Sequence, residues 1–70
     1  SLNISGDRLY QLGNYEKALQ EYQRGLNSEP KNINLINSLG VCYGVMGELD
    51  KAQKEFKTAM KISPNEIMVN

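Results

Sequence analysis

The feature that most constrains this chain is a ten-residue pattern that occurs twice, with its copies thirty-four residues apart. Residues 13–22 read GNYEKALQEY and residues 47–56 read GELDKAQKEF. Gly, Lys, Ala and Glu recur in register, and both copies end on an aromatic residue. Pro30 and Pro64 have the same spacing. A fixed period of this length indicates tandem structural units that stack on one another.

The composition of the 70 residues excludes several kinds of protein. One cysteine and no histidine leave no intramolecular disulfide and no ordinary zinc site. Eight basic and eight acidic residues cancel, so we expect no nucleic-acid partner. No apolar run approaches the roughly 20 residues that span a bilayer, so we expect no membrane insertion. Because the first residue is Ser1 and not Met, we interpret the chain as a piece of a longer protein.

Each structural unit divides into two helices. Pro30 and Pro64 are incompatible with a helix interior, and Gly13 and Gly47 suit turns with unusual backbone angles. Between these residues the apolar side chains recur with the period of a helix. The predicted helices cover residues 2–12, 15–28, 32–46 and 49–62, and a fifth begins near residue 65. Connections this short make consecutive helices antiparallel, so the predicted fold is all-α.

The apolar stripes of these helices form the predicted core. They consist of Tyr15, Ala18, Leu19, Tyr22 and Leu26 in the second helix, Ile36, Leu39, Tyr43 and Met46 in the third, and Leu49, Ala52, Phe56, Ala59 and Met60 in the fourth. Two helices approach closely only where some contact positions are small. The small residues assigned to these contacts are Gly6, Ala18 and Gly25 in the first unit and Gly40, Ala52 and Ala59 in the second.

These residues give the chain a resemblance to the tetratricopeptide repeat family, whose pattern is W-x2-L-G-x2-Y, then A-x3-F, then P. The pattern falls on Leu2, Ser5, Gly6, Leu9, Ala18, Tyr22, Gly25 and Pro30, and again on Ile36, Leu39, Gly40, Tyr43, Ala52, Phe56, Ala59 and Pro64. Ser5 and Leu9 depart from it, which suggests a looser first helix. The resemblance implies antiparallel helix-turn-helix hairpins stacked as a right-handed α-solenoid. Its first repeat would cover residues 1–32, its second 33–66, and a further helix would begin at 67–70.

The resemblance also implies a concave groove lined by the first helix of each hairpin. The groove candidates are Asn3, Asp7, Tyr10, Gln11, Asn34, Asn37, Val41, Gly44 and Val45. Asn3 and Asn37 are equivalent in register, and their amides can donate to a peptide carbonyl and accept from its N–H. The alternative is that these residues are ordinary solvated surface. Gly44 either leaves room for a ligand or is a tolerated neutral change.

One specific activity of the family can be tested against these residues. Some tetratricopeptide domains hold the C-terminal carboxylates of heat-shock chaperones in a clamp of lysine and asparagine side chains. The equivalent positions here hold Asn3, Asp7 and Ser38. Because Asp7 would repel a carboxylate, we expect no such clamp in these two repeats.

No nucleophile–base arrangement, phosphate-binding loop or metal spacing is present, so we expect no enzyme, no cofactor and no metal. Cys42 is interpreted as a small packed thiol. The resemblance implies a protein–protein interaction module that binds a peptide or protein segment of unknown identity. The alternative is a structural spacer or a homo-oligomer formed through uncapped repeat ends. RNA binding by a related helical-repeat family is disfavoured by the neutral charge.

Replacing Ala52 with leucine tests this packing scheme. The larger side chain overpacks a close helix–helix contact, and we expect the free energy of unfolding to fall by about 1–3 kcal/mol.

Phe56→Ala removes a ring that the sequence predicts to be buried, and we expect this variant to lose about 3–5 kcal/mol of its free energy of unfolding. Thermal melts followed by circular dichroism measure both losses, and an unshifted midpoint for either variant contradicts the scheme.

Overall fold

The structure is a computed structural model that describes residues 4–62. This range holds four α-helices: α1 over Ile4–Gln11, α2 over Tyr15–Ser28, α3 over Ile33–Val45 and α4 over Leu49–Ile62. No strand is present in it, and the all-α prediction is confirmed. The predicted start of α1 and the predicted fifth helix lie outside the described residues. None of the four helices has the length and apolar character that crossing a bilayer requires.

The predicted limits of α2 and α4 agree with the structure, whereas α3 is one residue shorter at each end. Asn32 is the N-cap of α3, and its side chain accepts a hydrogen bond from the backbone N–H of Leu35 at 3.2 Å. That bond satisfies one of the amides that a helix start leaves without a partner. Met46 is the C-cap of α3. Both residues therefore flank the helix.

The two glycine turns have the same backbone geometry. Gly13 and Gly47 have φ angles of 84° and 86°, which side chains other than glycine rarely adopt. In each turn the residue after the glycine donates its backbone N–H to the carbonyl five residues earlier. Asn14 donates to Leu9, and Glu48 donates to Tyr43, both at 2.9 Å. This is the Schellman arrangement of a helix end. The repeated glycine is thus explained by a repeated turn.

The helices pack in chain order, α1 on α2, α2 on α3 and α3 on α4. The core is a cluster of buried side chains shared by α2 and α3. Its members are Ala18, Tyr22, Leu35, Leu39 and Cys42. Leu35 is fully buried although it lies outside the stripe predicted for α3. Because α3 is sandwiched between α2 and α4, it buries two faces, and a search for one stripe misses the second.

Each hairpin is closed by an aromatic ring that lies on a glycine of the preceding helix. In the first hairpin the ring of Tyr22 occupies the space that a Cβ atom of Gly6 would need. In the second, a Cβ atom on Gly40 would lie 2.7 Å from Cε1 of Phe56. Real Cβ atoms do not approach a ring so closely, so glycine is required for this helix spacing.

The predicted burial of Leu49, Phe56 and Met60 is wrong. Leu49 is 63% exposed, Met60 is 47% exposed and Phe56 is 38% exposed. The reason is that α4 packs on α3 with one side, and no element within residues 4–62 covers the other side. The expected cost of Phe56→Ala therefore falls to about 2 kcal/mol, because a partly exposed ring loses less apolar burial on truncation.

Alanine substitutions at two helical glycines, Gly6 and Gly40, test the ring-on-glycine contacts. Tyr22 is only 2% exposed and its ring cannot move aside, so we expect Gly6→Ala to lower the free energy of unfolding by about 2 kcal/mol. Phe56 can rotate outwards, so Gly40→Ala should cost less than about 1 kcal/mol. Urea unfolding curves measure both values.

Gly44→Ala is the matched control for these variants. A Cβ atom there would lie 3.9 Å from the Cβ of Ala52, which is an ordinary contact. Since alanine favours a helix over glycine by about 1 kcal/mol, this variant should be more stable than the original chain. The packing scheme is contradicted if Gly40→Ala is more damaging than Gly6→Ala.

Candidate binding cleft

A cleft of about 200 Å³ opens between α1 and α3. We call it the α1–α3 cleft and define it by its six lining residues. They are Asp7 and Tyr10 of α1, Tyr22 of α2, and Asn37, Ser38 and Val41 of α3. Tyr22 is buried and forms part of the floor, because its ring packs on Gly6 of α1 and on the core residues of α3. The cleft therefore brings together a carboxylate, an amide, a hydroxyl and aromatic rings.

The structure gathers four of the nine groove candidates at this cleft: Asp7, Tyr10, Asn37 and Val41. Gln11, Asn34 and Val45 are exposed and do not line it, and Asn3 lies outside the described residues. The missing side chain of Gly44 would face Ala52 of α4. Tyr22 and Ser38 line the cleft although they are absent from the groove candidates.

A short hydrogen bond joins the cleft to the core. The hydroxyl of Tyr22 donates to Oδ1 of Asp7 at 2.6 Å. A buried phenol without an acceptor would lose the hydrogen bond that it makes with water in the unfolded chain. Asp7 therefore supports the first hairpin in addition to lining the cleft. In the second repeat the equivalent pair is Val41 and Phe56, which have neither the acceptor nor the hydroxyl.

This environment changes the acidity of Tyr22. Burial, the hydrogen bond to Asp7 and the charge of Asp7 all raise the pKa of the Tyr22 phenol, and Ser38 opposes them weakly. The phenol therefore stays protonated and remains a donor. Because its folded pKa lies above the unfolded value of about 10, its contribution to stability is complete below that pH and is lost as the pH rises beyond it.

Tyr10 contributes an aromatic ring to the lining of the cleft, and a neighbouring ring holds it in place. Its ring meets that of Tyr15 edge-on, with centroids 5.4 Å apart and planes inclined at 61°. Such an arrangement is favourable beyond simple apolar burial, because the positive ring edge meets the negative ring face. Tyr10 is also partly buried against the core. Its position is thus set by packing, and a ligand would meet a preformed surface.

The single charge of the α1–α3 cleft is negative. Among the described residues that line it, Asp7 is the only charged one, and α3 has no charged residue between Ile33 and Val45. The neighbouring Arg8 is exposed and does not line the cleft. The charge that these described residues contribute to the cleft is therefore that of one carboxylate.

Cys42 lies in the core behind the cleft. Its thiol is fully buried, and Sγ donates to the backbone carbonyl of Tyr15 at 3.3 Å. Burial raises the pKa of this thiol, which keeps it protonated and unreactive. The prediction of a packed thiol is confirmed. Within residues 4–62 no group of acidic or cysteine side chains is arranged to hold a metal ion.

Known proteins share the repeat pattern. A family model described as "TPR repeat" matches residues 6–47, and one described as "Tetratricopeptide repeat" matches residues 33–66. The chain is 41% identical over 51 residues to Protein bimA of Emericella nidulans, a match that covers 73% of the chain and 6% of that protein.

Two further relatives have different names. The human aspartyl/asparaginyl beta-hydroxylase is 33% identical over 66 residues, covering 94% of the chain and 9% of that protein. A TPR repeat-containing protein of Methanocaldococcus jannaschii is 30% identical over 59 residues, covering 84% of the chain and 10% of that protein. The chain therefore spans a tenth or less of the length of these relatives.

A double-mutant cycle tests the bond between Tyr22 and Asp7. Tyr22→Phe should lower the free energy of unfolding by about 1 kcal/mol, and Asp7→Val by about 1–2 kcal/mol, since the latter leaves a buried hydroxyl without its acceptor. The double variant reproduces the Phe56–Val41 pair of the second repeat. It should cost about 1 kcal/mol less than the sum of the single variants.

Alkaline unfolding gives an independent readout of the same bond. The stability of the original chain should fall more steeply above about pH 10 than that of Tyr22→Phe, which has no phenol to ionise at this position. Additive single variants, or equal alkaline profiles, would show that the hydroxyl and the carboxylate are not coupled.

Proposed function

Because this chain belongs to the tetratricopeptide repeat family, whose repeats generally mediate protein–protein interactions, we propose that it binds a peptide or protein segment in the α1–α3 cleft. The observation that carries this proposal is the meeting of Asp7, Tyr10, Asn37 and Val41 in one preformed cleft. A concave site with apolar walls and a few convergent polar groups is what a bound segment requires. The Asn37 amide can hydrogen-bond to the backbone of such a segment.

The names of the relatives do not transfer an activity to this chain. Their names differ from one another, and the match covers at most 10% of the length of those described above. We take the shared part to be the interaction repeat itself. The repeats would then contribute binding, and any chemistry would belong to other parts of those proteins.

The alternative function is self-association or a spacer role, and it is supported by a different surface. Leu49 and Met60 expose apolar side chains on α4, and Phe56 is only partly covered. An apolar helix face of this kind would be buried by a further helix of an array or by a second copy of the chain. This surface is distinct from the α1–α3 cleft, so the two functions can be tested separately.

Selection of peptides against the purified chain tests the proposed function. We expect a random dodecapeptide library displayed on phage to yield binders that shift the backbone amide resonances of Asp7, Asn37 and Val41. Asn37→Ala should weaken their binding by about five- to tenfold through loss of amide hydrogen bonds. Asn27→Ala is the matched control, because Asn27 is an exposed asparagine on α2 away from the cleft.

Two outcomes would argue against groove binding. Equal losses for the two asparagine variants, or resonance shifts confined to α4, would place the contact elsewhere. Failure to select any peptide, together with light scattering that shows a dimer abolished by Met60→Lys, would favour self-association through α4.

A further inference from the structure

We propose that the α1–α3 cleft selects segments with a basic side chain, an arginine or a lysine, seated against Asp7. This inference rests on the proposed function and adds the chemistry of the partner to it. It does not follow from the family, whose best-known carboxylate clamp selects the opposite charge. It follows from the charges and contacts of this cleft.

Charge complementarity is the first argument. Within residues 4–62 Asp7 is the only charged residue that lines the cleft, and the opposite wall, α3, is uncharged over its whole length. Within residues 4–62 Asp7 forms no ion pair, and the ion pair found there joins Arg24 to Glu21 of α2. A basic side chain in the cleft would meet an unneutralised carboxylate, and an acidic one would be repelled.

The orientation of Asp7 is the second argument. Tyr22 donates to Oδ1, and because the phenol is held in the core it fixes the carboxylate in place. Oδ2 has no hydrogen-bond partner within the described part of the chain. A carboxylate held in this way loses little side-chain freedom when it accepts a second hydrogen bond from a ligand.

The remaining lining residues suit a flat, cationic group. Tyr10 offers an aromatic ring, and the side chains of Asn37 and Ser38 offer oxygen acceptors. A guanidinium can donate to a carboxylate and lie against an aromatic ring at the same time, which an ammonium does less well. We therefore expect arginine to be preferred over lysine at this position.

An apolar side chain should accompany the basic one. Val41 and Val45 lie one helical turn apart on α3 and are 45% and 48% exposed. Val41 lines the cleft, and Val45 extends the apolar surface along the same helix face. The expected partner is thus a segment that carries a basic residue near an aliphatic one.

Peptides selected from the random dodecapeptide library provide the test. We expect arginine or lysine to be enriched at one position of the binders. Replacing that residue by citrulline, which keeps the shape of arginine and removes its charge, should weaken binding about tenfold, as expected for a charge-assisted hydrogen bond in a partly exposed site. The loss should shrink when the salt concentration is raised.

Variants of the chain identify the carboxylate. Asp7→Asn keeps an acceptor for Tyr22, so the hairpin should remain folded while binding weakens by about three- to tenfold. On this variant the citrulline peptide should bind as well as the arginine peptide. Asp50→Asn is the matched control, because it removes an exposed carboxylate of α4 and should leave binding unchanged.

The outcomes separate the two proposals. Binders that shift the cleft resonances but contain no basic residue, or that lose equal affinity with Asp7→Asn and Asp50→Asn, overturn the basic-side-chain inference and leave groove binding intact. Enrichment of acidic residues overturns it as well. Absence of any peptide that binds the cleft overturns groove binding and this inference together.

Discussion

The packing of this chain depends on one contact that it makes twice, an aromatic ring lying on a glycine of the preceding helix. The contact sets how closely the helices of each hairpin approach, because any side chain at Gly6 or Gly40 would meet the ring of Tyr22 or Phe56. The spacing of α1 and α2 in turn places the wall of the cleft opposite α3. The shape of the candidate binding surface is thus a consequence of core packing.

Tyr22 links the core to the cleft through a single side chain. Its ring belongs to the buried cluster and its hydroxyl holds the carboxylate of Asp7. In the second repeat Phe56 has only the ring, and it packs with one side on α3 while the other side is partly exposed. Two hairpins with nearly the same sequence pattern therefore differ in how far the ring is buried and in charge, and the charge difference, Asp7 against Val41, lies at the α1–α3 cleft.

The sequence predicted most of the fold because glycine, proline and helical periodicity act locally. Gly13 and Gly47 marked the turns, and the limits of α2 and α4 were right to the residue. Burial was predicted less well, since one apolar stripe does not show whether a helix is covered on one side, like α4, or on two, like α3. The bond between Asp7 and Tyr22 was missed, because it joins residues on different helices and no periodicity marks a hydroxyl and its acceptor.

The matching Schellman turns make the two hairpins nearly interchangeable as building blocks. A hairpin that keeps its glycine turn and its ring-on-glycine contact would carry its geometry with it if it were duplicated or moved within a longer array. Asp7 and Tyr22 are the exception, because a hairpin that has the tyrosine but not the aspartate would bury a hydroxyl with no acceptor. Asp7 and Tyr22 would therefore have to change together during evolution or in design, although fifteen residues separate them.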